Sequence, residues 1–251
     1  MPLPETEEIG QVTELTLWAV VALMAIGAAL IWYRGRNTEG RAEEHTVISV
    51  FIPAIAAAAY LTMATGYSVS IIELTDGGDQ LVFWGRYIDW LITTPLLLFD
   101  LALLAGADRN TIATLVGLDA YMIVTGLVAA FEADPVFRYV WWAVSTGAFL
   151  YILYIVLVDL PKMADEHLSG DLRGTFGTLK NLLAGLWLAY PVVWLLGTEG
   201  LGIIVIGPET VLYGVLDVLA KVAFGYILVS GVAASAELGI GTETPAATSD
   251  D

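Results

Sequence analysis

The sequence has no cysteine in 251 residues. Disulfides, thiolate chemistry and cysteine-ligated metals are therefore excluded, although the absence says nothing about compartment. Charge is also scarce: 15% of the residues are Asp, Glu, Lys or Arg, against about 25% in a soluble domain. Bases are scarcer still, 10 against 27 acids, for a formal net charge of −17. Such an acidic chain would be repelled by a phosphate backbone, so no nucleic-acid partner is expected. The two histidines, His45 and His167, are isolated from each other. Both read as surface residues, and no metal site is expected from them. What is abundant is apolar: 57% of the chain. A water-soluble enzyme is thereby nearly excluded. An apolar chain with an acidic remainder must segregate the two, so a charge left inside an apolar run needs a reason.

A bilayer-spanning helix needs about 20 mainly apolar residues. Runs of this kind are Leu15–Tyr33, Thr46–Tyr67, Leu81–Leu104, Thr111–Phe131, Tyr139–Val158, Asn181–Thr198 and Thr210–Val232. The expected fold is all-α, a bundle of seven transmembrane helices spanning residues 1–233. Residues 234–251 are small, polar and acidic, and read as a disordered tail. Met1–Gly10 is acidic rather than basic, so it does not read as a signal peptide. No soluble second domain is expected.

Basic residues set the orientation. Arg34, Arg36 and Arg41 follow the first run, Arg109 follows the third, and Lys162, Arg173 and Lys180 lie between the fifth and sixth. These connections share one face, which should be cytoplasmic. Only Arg138 falls on the other face. The N-terminus is then outside and the C-terminus inside. Between the second and third runs, Ser68–Glu73 and Gln80–Phe83 flank a glycine-rich turn at Thr75–Asp79, the pattern of a short extracellular hairpin. Pro53, Pro95 and Pro191 lie inside runs and read as simple kinks.

The ionisable residues within the runs are Arg86, Asp89, Asp100, Asp119, Asp217 and Lys221. Buried there, each is costly and is a functional candidate by default. Asp217 and Lys221 are four residues apart and share a helix face. One reading is a structural ion pair. The other is a buried amine with its counterion, able to form a Schiff base with an aldehyde. In the third run Arg86, Asp89, Trp90, Thr93, Leu97 and Asp100 share one face. Asp89 and Asp100 lie about 16 Å apart along the axis at 1.5 Å per residue. Asp89 has a guanidinium one turn away, whereas Asp100 has Leu96, Leu97, Phe99 and Leu103 about it. Two carboxylates in unlike surroundings suit an acid/base pair. Their separation suits two stations of a proton relay and is too large for a shared proton.

Aromatic stripes recur at helical spacing: Trp187, Tyr190, Pro191 and Trp194 in the sixth run, and Trp142, Ser145, Thr146 and Phe149 in the fifth. Asp119, Met122 and Gly126 face one way in the fourth. A lone stripe is ordinarily packing. Converging on a buried lysine, the stripes would form a slot for a long, flat, apolar chromophore. Glu199 and Glu209 bracket the last connection. They read as solvated loop acids unless they converge, in which case they would hold a proton between them.

Arg86-Tyr87-Ile88-Asp89-Trp90-Leu91-Ile92-Thr93-Thr94-Pro95-Leu96-Leu97-Leu98-Phe99-Asp100 resembles the third-helix signature of archaeal light-driven proton pumps. Asp217-Val218-Leu219-Ala220-Lys221-Val222-Ala223-Phe224-Gly225 resembles their retinal-attachment segment. Trp187–Trp194 and Trp141–Thr146 match as well. The resemblance covers nearly the whole chain, and the family is the microbial rhodopsins, nearest the bacteriorhodopsin and deltarhodopsin group.

That resemblance implies retinal on Lys221 as a protonated Schiff base. It implies Asp89 as primary acceptor, sharing the counterion with Asp217 and Arg86, and Asp100 as donor, tuned by Ser49. It implies Glu199 and Glu209 as the release group. On its terms Tyr60, Tyr87, Trp90, Thr93, Leu97 and Met122 line the retinal, as do Trp142, Ser145, Trp187, Tyr190, Pro191 and Trp194, with Asp119 near the ring. The implied function is a light-driven outward proton pump, a transporter rather than an enzyme, in a haloarchaeal cell membrane. Lipids and protons are the implied partners, with a homotrimer and no transducer. Chloride pumps of the family lack a carboxylate at the Asp89 position, and sensory rhodopsins usually lack one at the Asp100 position. A sensor is the first alternative and a retinal-free transporter the second.

Overall fold

A computed structural model describes residues 10–237; the amino-terminal residues and most of the acidic tail foreseen at 234–251 lie outside the described residues. Seven helical spans long and apolar enough to cross a membrane are present among the described residues. They are α1 (Gln11–Gly35), α2 (Arg41–Ala64), α3 (Trp84–Leu104), α4 (Arg109–Phe131), α5 with α6 (Pro135–Tyr154 and Leu160–His167), α7 with α8 (Gly170–Trp187 and Ala189–Leu196), and α9 with α10 (Ile206–Val218 and Phe224–Glu237). The last helix thus continues past Val232 and takes in the first four tail residues.

The short hairpin is present. Strands β1 (Ser70–Glu73) and β2 (Asp79–Val82) pair antiparallel, with Ser70 opposite Val82 and Glu73 opposite Asp79. Gly77 supplies the turn with φ +88°, a left-handed conformation that glycine adopts without steric cost. Gln80 Nε2 donates to Ala130 O at 3.3 Å, tying the hairpin to the end of α4. Pairing in β2 explains why α3 begins at Trp84 and not at Leu81.

Local chemistry accounts for most helix boundaries. Asp108 caps α4 by accepting from the Asn110 and Thr111 amides, and Asp134 caps α5 by accepting from Val136 and Phe137. Pro135 follows that cap at the start of the helix, where a missing N–H costs nothing. Pro191 cannot donate to Trp187, and the sixth span breaks at Leu188 between α7 and α8. Pro161 likewise removes a bond within the fifth span, and a π-helical turn at Ile155–Asp159 precedes it. That turn lets the helix run on to His167, beyond the sequence expectation of Val158. A second π turn, Leu219–Ala223, joins α9 to α10 and contains Lys221. No proline or glycine marks it.

The bundle is apolar outside as well as in. Leu15, Trp32, Phe51 and Val136 are exposed, as lipid-facing residues of membrane helices are. α3 is the most enclosed span, 61% buried against 28% for α1 and α4. Polar residues concentrate inside it: Arg86, Asp89, Thr93 and Asp100 are all buried. Small residues let neighbours approach closely. A methyl group added at Gly27 of α1 would lie 2.4 Å from Val222, beside Lys221.

Candidate functional site: a lysine between carboxylates

The π turn aims the Lys221 side chain into the bundle centre, where it is 1% exposed. Its Nζ forms an ion pair with Asp89 Oδ2 and lies 3.2 Å from Asp217 Oδ2. The two carboxylates differ in what else they hold. Asp217 Oδ1 accepts from Tyr190 Oη at 2.7 Å and Trp90 Nε1 at 3.2 Å, while Oδ2 accepts from Tyr60 Oη at 2.8 Å. Asp89 accepts, besides the lysine, only from Thr93 Oγ1 at 3.2 Å among the described residues. Asp217 is therefore saturated with donors, and Asp89 retains room to accept a proton.

Beyond Trp90 and Tyr190 lies an aromatic cavity. Its walls include Tyr87, Trp90, Met122, Trp142, Ser145, Trp187, Tyr190, Pro191 and Trp194, each expected from sequence. Thr94, Ile123, Gly126, Thr146, Phe149 and Tyr213 complete it. Trp142 and Trp194 stack with centroids 6.4 Å apart, and Trp194 Nε1 donates to Tyr87 Oη at 2.8 Å. Three further residues expected along the retinal are buried close by, nearer the lysine or in the core. Thr93 serves Asp89, Tyr60 serves Asp217, and Leu97 is packed in the core. All three lie on the bundle's inner side. Asp119 accepts from Thr94 Oγ1 at 2.7 Å, one residue behind the wall. A primary amine held among carboxylates, beside a slot walled by tryptophans, fits a long apolar aldehyde bound through nitrogen.

Toward the hairpin lies Arg86, three residues before Asp89 on α3. Its Nη1 lies 3.8 Å from Glu209 Oε1, and its guanidinium sits 4.2 Å over the Tyr213 ring. Glu199 and Glu209 are buried, at 2% and 0% exposure, so they are not solvated loop acids. Glu209 Oε2 accepts from the Thr198 amide and hydroxyl, each at 2.8 Å. Burial, and after it the neighbouring Glu209 charge, pushes Glu199 up to about 7. Gly197 leaves the space this cluster needs: a Cβ there would lie 2.7 Å from Glu209 Cδ.

At the other end of α3, Asp100 is fully buried. Ser49 Oγ donates to its Oδ2 at 2.9 Å, and His45 Nδ1 lies 2.5 Å from its Oδ1. His45 is thus no surface residue: it is 5% exposed. The available signal was its spacing, four residues before Ser49 on one helix face. His167, by contrast, is exposed as expected.

The family model described as bacteriorhodopsin-like protein matches residues 11–235. Archaerhodopsin-2 from Halobacterium sp. (strain aus-2) is 48% identical over 92% of this chain and 88% of its own length. Bacteriorhodopsin from Haloterrigena sp. (strain arg-4) is 49% identical over 84% of this chain and 85% of its own. Among solved structures, bromide-bound halorhodopsin from Halobacterium salinarum superposes with a TM-score of 0.87 at 32% identity, covering 92% of this chain and 98% of that one. Identity is thus higher to the archaerhodopsin and bacteriorhodopsin than to the halide-binding neighbour. The chain belongs to the bacteriorhodopsin-like family, as a multi-pass cell-membrane protein that carries retinal on a lysine as a Schiff base and works as a light-driven proton pump rather than an enzyme.

Proposed function

We propose that Lys221 carries the retinal and that Asp89 and Asp100 give the pump an outward direction. One observation carries this reading: α3 places Asp89 at the lysine amine and Asp100 three helical turns further along, each with its own partners. Retinal held on Lys221 Nζ would supply light absorption and photoisomerisation. Asp89 Oδ2 takes the proton from Nζ of Lys221. Asp217 stays fixed by Tyr60, Trp90 and Tyr190 and balances the remaining charge. Arg86 and the Glu199/Glu209 pair pass a proton to the hairpin face. Asp100 restores the proton to Nζ and refills from the opposite face. The aromatic walls hold the chromophore in register and exclude water.

Direction rests on the basic residues. Arg34, Arg36, Arg41, Arg109, Lys162, Arg173 and Lys180 lie in the connections and helix ends opposite the hairpin, and this basic excess supports reading that face as cytoplasmic and the N-terminus as extracellular. The family resemblance supports a homotrimer without a transducer, and mass measurement in lipid discs tests the assembly.

The decisive experiment illuminates cells containing the protein while external pH is recorded with and without a protonophore. External acidification that the protonophore abolishes is expected, and Asp89→Asn is expected to remove it. Robust acidification by Asp89→Asn would sink the acceptor assignment. A sensor would acidify little and would hold a bound partner.

A further inference from the structure

Asp100 has no route to solvent of its own. It is 0% exposed, and so is Ser49, which donates to it. Its other polar partner, His45, has a side chain 6% exposed and stands in the first turns of α2, which begins at Arg41 on the basic face. The imidazole Nδ1 lies 2.5 Å from Asp100 Oδ1. It is thus the partner of Asp100 that both touches the carboxylate and reaches the surface. Ser49 is closely backed by α10: a Cβ at Gly225 would lie 3.3 Å from both Ser49 Cβ and Ser49 O.

We propose that His45 is the port through which Asp100 is refilled, a proton-transfer residue on the basic face of the pump. The inference rests on the reading of Asp100 as donor. After Asp100 has given up its proton, the ring takes a proton from water at Nε2 and releases the one on Nδ1 to Asp100 Oδ1. Rotation of the ring away from the carboxylate then lets it exchange with water and return to its Nδ1–H form, so each turn moves one proton and leaves no charge on the ring. A hydroxyl such as Ser49 orients the carboxylate but does not carry a proton in from outside. An imidazole is suited to that task because one nitrogen can accept while the other donates.

The test uses the retinal-loaded protein in lipid vesicles, with a pH-sensitive dye following proton uptake after a light flash. His45→Gln should slow uptake on the order of a hundredfold, the low end of what a positioned proton-transfer group contributes. Added imidazole should restore it in this variant and leave the unmodified protein unchanged. A purely structural role would not produce that rescue, since glutamine keeps a hydrogen bond to Asp100. His45→Phe, which keeps ring volume, carries the same test if the glutamine variant fails to bind retinal. Uptake at the unmodified rate in the His45 variants, with Asp100→Asn slow, would overturn the port. Unmodified uptake in Asp100→Asn itself would overturn the donor reading on which the port depends.

Discussion

The two buried polar clusters at opposite ends of α3 are built differently. The hairpin end is a broad cluster: Arg86, Tyr213, Glu199, Glu209 and Thr198 share charge and hydrogen bonds over several helices. Buried polar atoms there, Arg86 Nε and Nη2, Glu199 Oε2 and Glu209 Oε1, have no hydrogen-bond partner among the described residues. The opposite end is a narrow chain of three: Asp100, Ser49 and His45. A broad cluster can delocalise a proton over several acids and let it go. A narrow chain can hold one proton apart from solvent until it is needed. On the reading proposed above, the difference between the ends would give the cycle a sense of direction that a symmetric pair of acids would lack.

The centre joins the two ends, so breaking it should erase the contrast altogether. Lys221→Ala is expected to abolish both visible absorbance with retinal and light-driven acidification, since the amine carries the Schiff base. Retained visible absorbance at the unmodified maximum would place the attachment elsewhere. Breaking only the narrow end should be milder. Asp100→Asn is expected to leave pumping detectable while slowing Schiff-base reprotonation at neutral pH by on the order of a hundredfold or more. Flash spectroscopy reads this directly, and a complete loss of acceptor-side proton transfer in the same variant would show that the two ends are not separable.

The broad end should respond to pH. With Glu199 pushed up to about 7, the acid is protonated below that value and ionised above it. A raised folded-state value contributes stability that is fully present below the ordinary glutamate value and lost as pH rises through about 7. Prompt proton release after a flash is expected to change across the same range, with Glu199→Gln removing the dependence. Gly197→Ala is a gentler probe: the added methyl would collide with Glu209 and with Val193 O, 2.8 Å away. Overpacking of this kind costs about 1–3 kcal/mol, which thermal unfolding of the purified protein measures. Release timing should shift in this variant while uptake at the Asp100 end stays unchanged.

Much of this was legible in the sequence. Seven apolar runs, the hairpin turn and the charges inside spans follow from hydropathy and glycine placement. The shared face of Asp89, Trp90 and Asp100 follows from helical periodicity. What stayed hidden depends on packing between distant segments. His45 looks like a surface residue because it sits near a helix start among Arg41, Glu43 and Glu44; only the approach of α3, 55 residues away in sequence, buries it. Glu199 and Glu209 look like loop acids for the same reason. Arg86 lies one turn from Asp89, yet its long side chain reaches the other way, to Glu209 and the Tyr213 ring. The π turn at Lys221 has no compositional marker, although such turns recur at functional sites.

The smallest expected effect sharpens the comparison by acting outside both clusters. Asp108 caps α4 on the basic face, accepting from the Thr111 hydroxyl and from the Thr111 and Asn110 amides. These donors hold its carboxyl below the usual carboxylate range. A lowered value gives stability that is present above the ordinary aspartate value and is lost as pH falls through the folded one. Asp108→Ala should therefore lower the melting temperature slightly at neutral pH, and the difference should vanish in acid. Because Asp108 touches neither Asp100 nor His45, proton uptake should keep its unmodified rate. A slowed uptake in this variant would mean that negative charge on the basic face, and not the His45–Asp100 pair alone, gathers the proton.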